Sequence, residues 1–252
     1  DGLQHDGLTD VYCNEAMGVL GDKCADKYNF SREDQDNYAI ESYKRSSNAW
    51  KEGKFNNEIV PVEINLRNGE KLEINQDEEY KNINFEKVPK LRPAFGKDGT
   101  VTAANASTIS DGASSLILMS KEKCSELNLT PIATVKYYCD AAQDPDWFTT
   151  APSLAVKKIL SNNSLSIDDV DYFEFNEAFS VVALANMKIL GLKADKVNVN
   201  GGAVSLGHPL GCSGARILTT LSHILINNNA KRGIAAICNG GGGASAILIE
   251  RN

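Results

Sequence analysis

The sequence predicts an α/β protein built on a layered sheet, and three observations predict it. Between residues 130 and 252, apolar runs bounded by turns alternate with amphipathic stretches. The runs 132–138, 170–175, 197–199, 233–238 and 244–250 are too apolar for strands with one face in water, which indicates a sheet covered on both sides. Residues 212–226 carry Ile217, Leu218, Leu221, Ile224 and Leu225 at the spacing of a core-facing helix.

Taken in order, the first clear element is a helix over 31–53. Ser31 caps it, Asp34 stands three residues on as a short capping-box acid, and Gly53 closes it. Ile40, Tyr43, Ser47 and Trp50 share one face. From 54 to 100 the chain is charged and irregular, with a hairpin expected where 59–64 and 71–74 flank Asn68-Gly69, a favoured two-residue turn. Helices are expected at 153–162 and at 178–190, the latter ended by Gly191. Gly112-Ala-Ser-Ser-Leu-Ile-Leu is echoed by Gly243-Ala-Ser-Ala-Ile-Leu-Ile, and both read as strands that start at glycine. The second copy closes a long run of strands and helices and the first does not, so a duplicated fold would begin here partway through its first half.

Composition bounds the function. With 252 residues, 42% of them hydrophobic, 20 Gly and 7 Pro, the chain buries a sizeable core, and disorder and collagen are excluded. Its net charge of −7 argues against a nucleic-acid or anionic-membrane partner, leaving small molecules or protein. No apolar stretch approaches the ~18 residues that span a bilayer. Six cysteines with no CxxC pair read as reduced thiols of an intracellular protein. His208 and Cys212 have no second ligand pair at zinc spacing. The chain starts at Asp1 with no initiator Met and no signal-like segment.

The chemistry concentrates where glycine does: ten of the 20 Gly fall between 201 and 243, with neither GxGxxG nor P-loop spacing. His208 lies between Gly207 and Pro209, and Cys238 closes a strand just ahead of Gly240 to Gly243. A thiol beside amide-rich backbone can move a proton while an oxyanion is held. The alternative is that Cys238 is a small buried hydrophobe and His208 a turn residue, and residue statistics alone favour it. Asn176 leaves the carboxyl end of a strand, where α/β sheets bind ligands, but it could equally be a plain helix cap.

Asn176-Glu177-Ala178-Phe179, the stretch Gly201 to Arg216 with Gly207-His208-Pro209 at its centre, and Cys238-Asn239-Gly240-Gly241-Gly242-Gly243 together resemble the thiolase family, nearest its eukaryotic, fungal-type acetoacetyl-CoA branch. Asp6 to Asp10, Asn57 to Val62 and Thr100 to Ser107 resemble it too, in order along the whole chain. The resemblance implies a layered αβαβα fold, N-terminally incomplete: a loop subdomain over 1–111, the last strand and helix of the N-terminal core domain over 112–129, and a C-terminal domain over 130–252. It implies an acetyl-CoA C-acetyltransferase that condenses two acetyl-CoA into acetoacetyl-CoA and CoA, or runs the reverse thiolysis.

By resemblance, Cys238 is the acid/base for the α-proton, with a pKa below the ~8.5 of a free thiol. His208 activates the nucleophilic thiol and, with a water held by Asn176, donates to the thioester oxygen. The Gly240 amide contributes to a second oxyanion hole. Leu8, Met17, Ser107 and Phe179 correspond to the pantetheine wall, and Asn82, Asn84 and Lys87 to the nucleotide end of CoA. No cofactor is obligatory, though relatives that bind potassium would place it among Tyr43, Ala103, Ala104, Ser107 and Val204. A cytoplasmic homodimer or homotetramer is expected. Two departures stand out. Ala16 occupies the place where many relatives have His, and none of the six cysteines stands in the nucleophile's motif, so the chain alone is expected to be inactive. The rival readings are a degradative 3-ketoacyl-CoA thiolase, which Asn176 in place of His argues against, and a non-catalytic CoA-binding or assembly module.

Overall fold

The computed structural model describes residues 1–251. Helices α1 (Met17–Tyr28) and α2 (Arg32–Lys51) come first, then the antiparallel strands β1 (Val62–Asn65) and β2 (Lys71–Ile74), and the short helix α3 (Lys121–Glu126). The C-terminal half runs β3 (Thr134–Ala142), α4 (Ala151–Asn162), β4 (Tyr172–Phe175), α5 (Ser180–Leu190), α6 (Ala203–Leu206), α7 (Ser213–Asn227), β5 (Arg232–Asn239) and β6 (Gly243–Glu250).

The sheet of the C-terminal half has the order β3-β6-β5-β4, with β4 parallel to β5 and the other neighbours antiparallel. Strand alternation sends Ile234 and Ala236 of β5, with Ala246 and Leu248 of β6, into one core with Ala155, Val156 and Ile159 of α4. Ala235 and Ile249 face the other way, onto Ile217, Leu221 and Leu225 of α7. The sheet is therefore covered by helix on both faces, as its apolar runs predict. Burying each of these aliphatic side chains contributes roughly 1.5–3 kcal/mol.

The α2 cap is as the sequence predicts: the Ser31 hydroxyl accepts from the Asp34 amide at 3.0 Å, and the Asp34 carboxylate accepts from the Ser31 amide at 2.8 Å. Gly191 ends α5 in the left-handed conformation. Four expectations need correction. The hairpin strand starts at Val62, because Pro61 has no amide to offer a ladder. Its loop is closed by the Leu66 amide donating to the Glu70 carbonyl, which leaves three residues in the turn instead of two, with Gly69 at φ +84°. The helix expected at 178 begins at Ser180, since Phe179 stays extended and bridges to Ala106.

The expected strand 197–199 makes only isolated bridges. Asn198 turns left-handed, and its side chain does what a strand neighbour would do: Oδ1 accepts from the Phe175 amide at 2.9 Å and Nδ2 donates to the Phe175 carbonyl at 3.0 Å. Nor do residues 112–118 form a strand. The second copy of that motif is β6, which lies between two strands, whereas the first has no ladder neighbour among the described residues and leaves Ile117 85% and Leu118 75% exposed. No helix among the described residues is long and apolar enough to cross a membrane.

Candidate active site

Asn176 links two parts of the site. Its amide donates to the Ala236 carbonyl at 3.0 Å, extending the β4–β5 ladder to within two residues of Cys238. Its side-chain Nδ2 lies 3.1 Å from His208 Nε2. Because an amide NH₂ can only donate, Nε2 accepts, and the imidazole proton sits on Nδ1, which donates to Ser213 Oγ at 2.6 Å. Ser213 in turn donates to the Pro209 carbonyl at 3.1 Å, so the chain of donors closes without conflict. Asn176 Oδ1 is buried with no hydrogen-bond partner among the described residues.

The turn that presents His208 is made possible by glycine at two points. At Gly202 a Cβ would run into the Glu177 carboxyl group. At Gly207 the backbone is at φ +96°, against the Ser110 side chain. His208 itself is fixed through its amide, which donates to the Thr108 carbonyl at 3.0 Å. Burial and then the Arg216 guanidinium push its pKa down to about 4, so the imidazole is neutral at pH 7 with its Nε2 lone pair turned toward Asn176.

Cys238, near the end of β5, packs against the cluster of Leu20, Cys24, Val101 and Phe179, together with Met17. Burial, and then Cys24, push its thiol up to about 12, and no cation among the described residues acts to reverse this. The expected shift below 8.5 is absent from this structure, for that physical reason. The neighbouring glycine run is pinned by Asp10, which is only 1% exposed. Its carboxylate accepts from the amides of Gly241 (3.0 Å), Tyr12 (2.9 Å) and Cys13 (3.1 Å). Burial acts to raise the Asp10 pKa, but those amides more than reverse it and hold the group below the ordinary carboxylate range. Asp10→Ala is expected to cost about 1.5–3 kcal/mol in urea unfolding. It should also speed hydrogen exchange at the Gly241 amide, and unchanged exchange would contradict the pinning role.

The residues expected to line pantetheine converge. The Met17 amide donates to the Leu8 carbonyl at 3.0 Å, and the Met17 methyl group lies where a Cβ on Gly240 would fall. Ser107 donates to the Ala178 carbonyl through both its amide (3.0 Å) and its hydroxyl (2.8 Å), beside Phe179. Phe95, which the sequence reading passed over, meets Phe179 edge-on at 6.1 Å. Asn82, Asn84 and Lys87 are exposed, and no described contact joins them to His208 or Cys238. Of the expected potassium set, Tyr43 and Val204 share one buried cluster. The Tyr43 hydroxyl donates to Glu79 at 3.3 Å, and Ala103 is exposed.

Ser213, Asp10, Glu177 and Arg216 complete the site, and the sequence reading assigned none of them a role. Arg216 Nη1 lies 3.7 Å from Glu174, which is fully buried on β4. A capping-type Ser five residues after a histidine was the one available signal. One trio of metal-type ligands occurs among the described residues, Cys13, Glu15 and Asp146, and Lys23 occupies it, 2.6 Å from Glu15 and 3.2 Å from Asp146.

Comparison with known proteins agrees with this geometry. Residues 1–122 match the thiolase N-terminal domain and residues 129–251 the thiolase C-terminal domain. A probable acetyl-CoA acetyltransferase of Dictyostelium discoideum is 55% identical over 251 residues, covering 100% of this chain and 61% of that protein. A cytosolic acetyl-CoA acetyltransferase of Gibberella zeae is 52% identical, covering 99% of this chain and 63% of that protein. A crystal structure of an Ascaris suum thiolase in complex with coenzyme A superimposes with a TM-score of 0.94 at 52% identity, covering 100% of this chain and 64% of that one. The chain thus spans between 61% and 64% of the length of these relatives. On the match of both domain models in sequence order and the shared fold, the chain belongs to the thiolase family.

Proposed function

We propose that this chain carries the histidine, the asparagine and the acid/base cysteine of an acetyl-CoA acetyltransferase. The observation that carries the reading is the 3.1 Å contact between Asn176 Nδ2 and His208 Nε2, with Asn176 Oδ1 buried and unpartnered beside it. An acceptor in that position can take one hydrogen of a water whose other hydrogen points at a thioester oxygen, where charge develops in the enolate. The neutral His208 can take a thiol proton at Nε2, the thiol replacing the Asn176 amide as donor to that lone pair, and return it. In thiolysis Cys238, a thiol at neutral pH, gives its proton to the enolate carbon of the departing acetyl-CoA and then recovers one from the incoming CoA thiol. In synthesis the same proton travels the other way, and the carbanion attacks the acyl-cysteine carbonyl with expulsion of the cysteine thiolate.

His208 bonds to Asn176, Ser213 and the Thr108 carbonyl, with no cysteine among these partners. The proposal therefore assigns the acyl-carrying thiol to none of the six cysteines and expects no turnover from this stretch alone. The substrates are acetyl-CoA, acetoacetyl-CoA and CoA, the compartment the cytosol, and the assembly a homodimer or homotetramer. The names of the relatives support the first two, and family resemblance supports the third. Potassium among Tyr43, Ala103, Ala104, Ser107 and Val204 rests on resemblance alone, and no step is routed through it.

Incubating the 252-residue chain with radiolabelled acetyl-CoA tests the assignment. We expect CoA to bind with no acyl label retained, and label on any of the six cysteines would overturn it. Joined to an acyl-carrying segment, the chain should cleave acetoacetyl-CoA faster than a C8 3-ketoacyl-CoA. The reverse preference would favour the degradative class, and binding without turnover would favour an assembly module.

A further inference from the structure

Glu177 follows Asn176 directly, yet its side chain turns away from the substrate side and is 0% exposed. Four donors converge on its carboxylate. Oε1 accepts from Tyr38 Oη at 2.8 Å and Asn198 Nδ2 at 2.9 Å. Oε2 accepts from Ser42 Oγ at 2.8 Å and the Val204 amide at 3.1 Å. Both oxygens thus have both lone-pair directions filled, as the burial of such a group demands. Burial holds the Tyr38 hydroxyl well above its ordinary pKa, so it remains a donor.

These donors belong to three segments. Tyr38 and Ser42 lie on α2, Asn198 props the end of β4 through the Phe175 backbone, and Val204 lies in α6, four residues before His208. Around them Ser42 Oγ is 3.0 Å from Ser205 Oγ and accepts from the Gly202 amide at 3.2 Å, and Ser46 Oγ is 2.7 Å from the same Ser205. The carboxyl group fills the space that a Cβ on Gly202 would need. One side chain thereby sets where β4 ends, and so where Asn176 stands, and also where the turn carrying His208 begins.

We propose that Glu177 is a positioning residue that fixes the spacing between Asn176 and His208 by clamping the end of β4 to the Gly202–Gly207 turn. The inference rests on the catalytic reading of that pair, but its test does not. Glu177 touches no reacting atom. It acts through backbone, by holding two donors on one oxygen and two on the other. Gln in its place keeps the shape but turns an NH₂ toward one hydroxyl, which can reverse and accept, and one N–H that can only donate, either Asn198 Nδ2 or the Val204 amide, so that one of the four bonds becomes a repulsive contact and a second must reverse.

With only His5, His208 and His223 in the chain, histidine-selective ¹⁵N labelling reads His208 directly. In Glu177→Gln, water gains access to the imidazole as the turn loosens. The groups around His208 are otherwise unaltered: Asn176 just after β4, Ser213 and Arg216 from α7, and Thr108 from the loop behind. The His208 titration midpoint should therefore move up from about 4 toward 6.5, with the Nε2 resonance losing the signature of an acceptor held by an amide. His223 serves as the internal control. In the chain joined to an acyl-carrying segment, kcat should fall at least tenfold with KM within threefold. A folded Glu177→Gln protein whose His208 titration and tautomer match the wild type would overturn the proposal. Should that variant not fold, Tyr38→Phe, which keeps the carboxylate and removes one donor, decides by the same shift in the same direction or its absence. If turnover is never found while His208 moves as stated, the acetyltransferase reading fails and the clamp stands.

Discussion

Cys238→Ser is expected to lower both synthesis and thiolysis of acetoacetyl-CoA by about 10²–10⁴, measured on the chain joined to an acyl-carrying thiolase segment. That range is what a positioned acid/base group contributes. Serine keeps the size and the burial among Leu20, Val101 and Phe179 but raises the cost of making the anion well beyond that of a thiol. The site already opposes the thiolate, since burial, with Cys24 adding to it, pushes Cys238 to about 12. An oxygen in its place has no margin left. On the proposed assignment the pantetheine wall is built from other groups, Met17 and Phe179 among them, so the loss should fall on kcat and leave KM near its wild-type value. A Cys238→Ser protein within threefold of wild-type turnover would remove Cys238 from the chemistry and return it to the status of a buried small residue.

The pH dependence of stability should expose a second buried group. Glu58, in the loop after α2, is pushed up to about 7 by burial, with Arg216 and Thr220 opposing and Asp77 adding to the shift. Burial also holds Asp77 above its ordinary value and the fully buried Glu174 well above it, so three carboxyl groups surround one guanidinium. A group whose folded pKa exceeds its unfolded one binds its proton more tightly in the folded chain. Its contribution is present below about 4.5 and is lost as pH rises to about 7. For Glu58 the loss amounts to about 3 kcal/mol. His208 works with the opposite sign. Its folded pKa of about 4 lies below 6.5, so folding gains stability as pH rises through that interval. The raw profile therefore mixes the two, and the difference between wild type and Glu58→Gln isolates Glu58. Urea unfolding at pH 4.5 to 7.5 should show the wild type losing about 3 kcal/mol relative to Glu58→Gln across that range. Parallel profiles would show that Glu58 titrates normally.

Much of the architecture was legible because its causes are local. Ser31 and Asp34 lie three residues apart, and the cap they form needs nothing from elsewhere in the chain. Ile217, Leu221, Ile224 and Leu225 report helix period directly, and all four are buried on α7. The errors fall where the outcome depends on a distant partner. Residues 197–199 have strand composition, but the Asn198 side chain takes over the ladder bonds of Phe175, 23 residues earlier. Residues 112–118 share the pattern of β6, yet β6 is a strand because β3 and β5 flank it.

By itself the sequence determined the α/β class, the glycine-bracketed His208, Cys238 ahead of its glycine run, and Asn176 at a strand's carboxyl end. Each of these is a matter of residue type and short spacing. Only the tertiary structure decided which nitrogen of His208 carries the proton, how far burial lifts Cys238, and that Glu177, Asp10 and Ser213 hold the parts in place. Tyr38 and Glu177 are 139 residues apart, and Asp10 and Gly241 are 231 apart. A hydrogen bond across such a separation, or the desolvation of a thiol by side chains from distant stretches, leaves no periodicity in the chain to read, because it exists only once the chain has closed on itself.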